Sequence, residues 1–185
     1  MDGEPPRAFD VVVVGAGVIG LATALELARR GRSVLAIDRF GSGHPATSST
    51  GASRSIRIAY DHPLYVRLAL EAIDAWRGLE DETGRPILHL TGQVDLGPVA
   101  KLGDLVRTVR AAGADIDAID AGDLQRRFPE LTLVDGEAAL YQRQAGTIVA
   151  SAAMTALLEA AGRAGVTYLA GRRVTAVEPG SPVTV

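Results

Sequence analysis

The first patterned stretch of the chain is an apolar, β-branched run from Phe9 to Val14 that stops at Gly15. Such a run, without alternation, marks a parallel strand covered on both faces, so a central strand is expected here. From Val18 the period becomes helical. Leu21, Leu25 and Ala28 share a face, Arg29 and Arg30 place cations at the end, and Gly31 caps it. Ser33 to Ile37 is a second short apolar run, ending at Asp38. The opening of the chain therefore predicts a β-α-β unit with tight connections.

Gly41 to Ser55 has no apolar period and is rich in Gly, Ser and Thr, which predicts loop over most of its length. Pro63 opens an amphipathic helix running to about Thr83, with Leu64, Leu68, Ile73, Trp76 and Leu79 expected on its apolar side and Gly84 ending it. Ile87–Leu90 and Val94–Leu96 predict a pair of strands joined at Thr91-Gly92. A helix from Val99 to about Ala112, a strand at Ile116–Ile119 and a short helix at Asp123–Phe128 follow. The remaining pattern predicts a strand at Ala138–Tyr141, a helix at Val149–Ala164, strands at Val166–Leu169 and Arg172–Val177, and the start of another at Pro182–Val185. A chain that stops on a half-strand leaves an exposed edge, so more chain is expected after Val185.

Composition narrows the class. The 185 residues are 47% hydrophobic and 22% charged, as in an ordinary globular α/β protein. A net charge of −3 gives no electrostatic reason to expect a nucleic acid or an anionic membrane as partner. The absence of cysteine excludes disulfides, thiolate metal sites and a cysteine nucleophile, and no metal site is expected. The N-terminal Met1-Asp2-Gly3-Glu4-Pro5-Pro6 carries acids and prolines where a secretory signal has a basic start and an apolar run, so a cytoplasmic protein is expected. The apolar stretch Val11 to Ala28 contains three glycines and Glu26, which fits strand plus helix better than a membrane span.

The candidate chemistry lies at the first turn. Gly15-Ala16-Gly17-Val18-Ile19-Gly20 falls between predicted strand and predicted helix, the context a dinucleotide site requires. The first glycine permits a sharp turn, the second lets backbone approach a pyrophosphate, and the third allows close helix–strand packing. The helix N-terminus adds N–H groups and partial positive charge for the phosphates. Asp38, at the end of the second strand, is placed to accept from ribose hydroxyls and to repel a 2′-phosphate, while Arg39 beside it weakens that exclusion. NAD and FAD both satisfy these residues. The polar loop Thr47–Ser55, where a nicotinamide enzyme proceeds to another crossover helix, favours the longer FAD by offering small donors such as Ser48 and Ser49.

Several of these segments together resemble a known family. Val11–Gly20, Asp38, the loop ending Arg54-Ser55-Ile56-Arg57-Ile58-Ala59-Tyr60, the helix Leu64–Glu82, Thr91-Gly92 and Leu124–Pro129 are similar to the D-amino-acid-oxidase-like group of FAD-dependent amine oxidases. Within it the likeness is to the monomeric sarcosine oxidase and N-methyltryptophan oxidase type, from Phe9 to Val177. The resemblance implies a Rossmann-like FAD-binding domain of discontinuous segments, 1–86 and 146–185, interrupted by part of a mixed α+β substrate domain at 87–145. It implies oxidation of the C–N bond of an amino acid or N-methyl amino acid to an imine, with molecular oxygen as acceptor and peroxide as product. Arg57 would grip the substrate carboxylate, Arg54 would lie by the flavin ring, and Val174 would lie beside the adenine. Gly15, Ala16, Gly17, Val18, Ile19, Gly20, Asp38, Arg39, Ser48 and Ser49 complete the expected cofactor contacts.

The chain also departs from that pattern. Ser49-Thr50-Gly51-Ala52 stands where sarcosine oxidases carry a histidine-rich stretch, which leaves substrate preference open. The family's oxygen-activating lysine, flavin-linking cysteine and second glycine-rich segment belong to a C-terminal region beyond this sequence. Lys101 lies in a predicted surface helix and is no substitute, so these residues alone are expected not to turn over. His44 and His62 read as loop residues, His89 as a strand residue, Trp76 and Tyr65 as packing residues, and Tyr60 as a candidate to face substrate. Two other readings stay open: a truncated dinucleotide-binding protein without catalysis, and an NAD-dependent dehydrogenase.

Overall fold

The computed structural model describes residues 8–185, so the acid- and proline-bearing N-terminus on which the cytoplasmic expectation rests lies outside the described residues. The elements in chain order are β1 (Val11–Val14), α1 (Val18–Arg29), β2 (Val34–Asp38), β3 (Ser53–Ile56), α2 (Pro63–Thr83), β4 (Leu88–His89), β5 (Gln93–Pro98), α3 (Val99–Ala111), β6 (Asp117–Ile119), α4 (Ala121–Arg127), β7 (Glu137–Gln142), β8 (Gly146–Val149), α5 (Ala150–Arg163) and β9 (Thr167–Ala170). They divide into two compact units. The first takes the chain to Ser53, Gly78–Ile87 and Val149–Val185; the second takes Arg54–Arg77 and Leu88–Ile148.

The first unit is built on a parallel sheet of order β1-β2-β9, with Val11–Val14 in register with Val34–Ile37 and Leu35–Asp38 in register with Thr167–Ala170. Parallel strands need crossover connections: α1 joins β1 to β2, and the long connection from β2 ends in α5, which leads into β9. These helices pack on each other, and their buried faces are rich in small residues. Ala24 of α1 and Ala153, Ala156, Ala160 and Ala161 of α5 are buried with Leu21, Leu25, Met154 and Leu157. Alanine keeps helix propensity high while letting the backbones approach closely. The sheet order corrects one expectation. β2 is the central strand and β1 an edge, because β1 has no second neighbour among the described residues, and Val14 is 55% exposed.

The second unit holds an antiparallel sheet of order β5-β7-β6, with Gln93–Pro98 running against Gln142–Glu137. α3 and α4 pack on it. Ile119, Leu124 and Ala139 form a buried cluster with Val94, Phe128, Leu131, Leu133 and Tyr141 against it. A smaller sheet has the order β3-β8-β4.

The expected hairpin across Thr91-Gly92 does not form. β4 pairs with β8 and β5 with β7, so the two strands leave the turn into different sheets. The strand β8 lies just ahead of the predicted last helix, on residues given no element, and meets it only at Val149, while β3 falls mostly inside the predicted loop. Residues 172–177 are not a strand; beyond β9 the backbone pairing is reduced to bonds from Gly171 and Arg172 to Phe40 and Asp38 and to a bridge between Glu178 and Thr184. On α2 the buried side is Val66, Ile73 and Leu79, whereas Leu64, Leu68 and Tyr65 are exposed and Trp76 is half-buried. Leu64 and Leu68 each lie two residues from Val66, about 200° around the helix, so they cannot share its face. No helix among the described residues is long and apolar enough to cross a membrane.

Candidate cofactor and substrate sites

β1 delivers the chain into the glycine turn. Gly15 adopts φ +97°, a conformation that L side chains rarely take, and its N–H donates to the Ile37 carbonyl at 2.8 Å, tying the turn to the neighbouring strand. The turn is compact because Gly20 has no side chain. A Cβ there would come within 1.8 Å of the Gly15 carbonyl oxygen. Gly17 precedes α1 as its N-cap with no side-chain cap of its own. The first turn of the helix therefore keeps the N–H groups that have no helical carbonyl to bond. One of them, Val18 N–H, donates to the Ser49 hydroxyl at 3.0 Å, which folds the polar loop back over the helix start. Ile19 is 80% exposed at the same place.

Asp38 closes the turn from the other side. Its Oδ2 accepts from Ala16 N–H at 2.8 Å and its Oδ1 from Phe40 N–H at 2.8 Å. Each oxygen keeps a lone pair for a further donor. Asp38 also lines a cavity of about 400 Å³ shared by Val14, Gly15, Arg39, Thr47 and Val174. Val174 is brought there by backbone bonds that continue the β2–β9 pairing, Gly171 N–H to Phe40 O at 2.7 Å and Arg172 N–H to Asp38 O at 3.0 Å. Arg39 stacks over the Phe40 ring at 4.4 Å, and Phe40 stacks on His44 at 4.1 Å. Ser48 is exposed in the same loop. Behind the strand, burial pushes the Tyr168 hydroxyl's pKa up, the negative charge of Asp38 adds to the shift, and the Ser42 backbone opposes it.

The structure thus gathers Gly15, Ala16, Gly17, Val18, Gly20, Asp38 and Ser49 around one turn, with Arg39 and Val174 on the adjoining cavity wall. Sequence reasoning missed Arg172 and Arg173, which line that cavity and add two cations to its rim. Reading residues 172–177 as a strand concealed them. These features fit a long anionic nucleotide: a turn kept close by Gly15, Gly17 and Gly20, a helix start held by one serine, and arginines around the cavity. Among the described residues no group of three His, Asp or Glu residues is placed to hold a metal ion.

Arg54 and Arg57 belong to the second unit, and both are exposed. The Arg57 guanidinium lies over the Tyr60 ring at 5.2 Å. Arg57 and Tyr60 line a cavity of about 330 Å³ with Asp61, Asp95 and Lys101, the last on the exposed side of α3. His44 and His62 act locally, each accepting a backbone N–H on its Nδ1, and His89 lies in β4.

Comparison with known proteins identifies the family. The family model for FAD dependent oxidoreductases, DAO, matches residues 10–185. Peroxisomal sarcosine oxidase of Mus musculus is 34% identical over 181 residues, covering 96% of this chain and 46% of that protein. Monomeric sarcosine oxidase of Streptomyces avermitilis is 35% identical over 160 residues, covering 85% of this chain and 42% of that protein. Among solved structures, NikD, an unusual amino acid oxidase essential for nikkomycin biosynthesis, superposes with a TM-score of 0.78 at 31% identity, over 95% of this chain and 46% of that one. The chain spans about half the length of the curated relatives it matches. With its parallel sheet, its glycine turn and a match over nearly its whole length, the chain belongs to the DAO family of FAD dependent oxidoreductases.

Proposed function

We propose that this chain holds the adenosine and pyrophosphate portion of FAD, and part of the substrate site, of an oxidase acting on the C–N bond of an amino acid or N-methyl amino acid. The carrying observation is the Asp38 carboxylate bonded at 2.8 Å to the Ala16 N–H inside the glycine turn, which joins the phosphate-binding backbone to the ribose-facing acid in one rigid corner. Family membership supports the choice of FAD over NAD.

In this reading the Gly17, Ile19 and Gly20 N–H groups at the start of α1 take the pyrophosphate, because the Gly15, Ala16 and Val18 N–H groups already bond Ile37, Asp38 and Ser49, and Val18 and Ile19 line its path. The Asp38 carboxylate uses its spare lone pairs on the ribose, Val174 covers the adenine, and Arg39, Ser48 and Ser49 complete the cofactor shell. Arg54 is assigned to the flavin ring by its match to the family pattern. Arg57 offers a planar two-pronged donor to the substrate carboxylate, a geometry a lysine cannot reproduce. The Tyr60 ring beneath Arg57 limits the directions its guanidinium takes. The flavin, when bound, supplies the electron acceptor that turns the amine into an imine, and oxygen then carries the electrons to peroxide. The chain's residues bind and orient; they do not perform the redox step.

The test is spectroscopic. The 185-residue chain is loaded with FAD, freed of excess and mixed in air-saturated buffer with sarcosine and other N-methyl amino acids, with peroxide assayed alongside the flavin spectrum. Retained flavin absorbance is expected. Because the chain spans less than half of its oxidase relatives, peroxide release by these residues alone is not expected. A folded chain that retains NAD and no flavin would overturn the reading.

A further inference from the structure

We propose that Gln142 is a positioning residue for Arg57. The buried amide of Gln142, anchored on Asp95, fixes the backbone that sets the Arg57 guanidinium against Tyr60. This inference rests on the reading of Arg57 as the carboxylate-binding residue.

The backbone from Arg57 to Tyr60 belongs to no helix or strand. Ile58 is nevertheless fully buried, so its N–H needs a partner that no ladder supplies. Gln142, at the end of β7, is that partner. Its Oε1 accepts from Ile58 N–H and from Ala59 N–H, both at 2.9 Å. Its Nε2 donates to Asp95 Oδ2 on β5, and Asp95 Oδ1 in turn accepts from Gln93 Nε2 at 2.8 Å. Gln142 is 0% exposed, the one fully buried polar side chain among the described residues. Burying an amide is unfavourable unless its hydrogen bonds are made, and here one oxygen takes two donors while the amino group meets a carboxylate.

The position of this network gives it a use beyond packing. Ile58 and Ala59 are the two residues between Arg57 and Tyr60, so whatever fixes them fixes the spacing of the guanidinium and the ring beneath it. Tyr60 N–H closes the segment by donating to Ile58 O at 3.0 Å. Asp95, the anchor, lines the same cavity as Arg57 and Tyr60. A second strand of the sheet therefore holds the segment that presents the arginine.

The test uses the full 185-residue chain, isotopically labelled, with sarcosine as probe. One readout is protection of the Ile58 and Ala59 amides from hydrogen exchange. The other is the Kd for sarcosine followed at the Arg57 Nε–H resonance. Gln142→Leu removes both acceptor bonds and is expected to lower protection by about tenfold or more and to raise the Kd by roughly fivefold or more, at about a factor of five per bond. The double variant Asp95→Asn with Gln142→Glu reverses one donor and acceptor in the chain while keeping its shape, and is expected to restore both readouts to within about threefold. If Gln142→Leu does not fold, Gln142→Glu alone supplies the contrast, since two carboxylates then face each other; it is expected to be impaired where the double variant is not. Lost protection with a Kd unchanged within twofold would show Gln142 to be merely structural and overturn the proposal, as would a double variant that rescues neither readout. Failure of the wild-type chain to shift Arg57 Nε–H with sarcosine would instead overturn the reading of Arg57, and this inference with it.

Discussion

Replacing Gly20 by alanine sets two effects of opposite sign against each other. Gly20 lies in the first turn of α1, where alanine raises helix propensity by at most about 1 kcal/mol. Propensity alone therefore predicts a more stable protein. The structure predicts the reverse. The new methyl would stand 1.8 Å from the Gly15 carbonyl oxygen and 2.9 Å from its carbon, both backbone atoms held by the bond from Gly15 N–H to Ile37. Relief requires α1 to retreat by about 1 Å or more to reach ordinary contact distance. That movement lifts Leu21, Ala24 and Leu25 from the core, where they are 0%, 0% and 4% exposed. Overpacking of this kind costs about 1–3 kcal/mol before any lost burial is added, so a net loss of about 2 kcal/mol is expected. Urea unfolding followed by circular dichroism measures it, and at about 2 kcal/mol per molar the midpoint falls by about 1 M. Gly78→Ala in α2 is the control, because a Cβ there meets nothing within 4 Å and propensity is left to act alone. A Gly20→Ala midpoint at or above that of the wild type would refute the packing argument.

Other consequences follow from named contacts. Asp38→Asn keeps one acceptor but turns an amide N–H₂ toward the other backbone donor, so about 2–4 kcal/mol of stability is expected to disappear in the same urea assay, together with FAD affinity. The Asp10 carboxylate is held below the ordinary carboxylate range by the Ser33 backbone N–H first and the Ser33 hydroxyl second. A depressed folded-state value contributes stability above the unfolded pKa and loses it as pH falls through the folded one, here below about pH 4. Ser33→Ala is expected to move the Asp10 titration, read by NMR, upward; an unmoved midpoint would contradict the assignment. Arg57→Lys keeps the charge but not the fork, so sarcosine affinity is expected to fall about tenfold with the unfolding midpoint unchanged, since Arg57 is exposed.

How much of this was legible in sequence depended on the reach of the interaction. The β-α-β opening, the glycine turn and Asp38 are set by neighbours within a few tens of residues, and Gly15 and Gly20 carry the backbone requirement in their identity. Pairing across long separations was not legible. Thr91-Gly92 has the look of a hairpin turn, but β4 finds β8 and β5 finds β7 far along the chain, with Leu88 opposite Ile148 and Gln93 opposite Gln142. The apolar residues of α2 gave the helix and, in Ile73 and Leu79, part of its buried face, but Leu64 and Leu68 compete with Val66 for the first turns and only tertiary packing decides. β1 carries the apolar run of a doubly covered strand yet has one strand neighbour, β2, among the described residues. Gln142 was invisible for a different reason. One glutamine at the end of an apolar strand looks like a surface residue until the strand's partner and the Ile58 amide are both known.

Binding of FAD at the corner between Gly15 and Asp38 is measured by an equilibrium titration of the purified chain with FAD, read by flavin fluorescence. NAD is titrated in parallel, and circular dichroism confirms the fold. Saturable FAD binding that NAD does not match, and that Gly17→Val abolishes without unfolding the chain, is the predicted result. A folded wild-type chain that leaves flavin fluorescence unchanged at every concentration would contradict it.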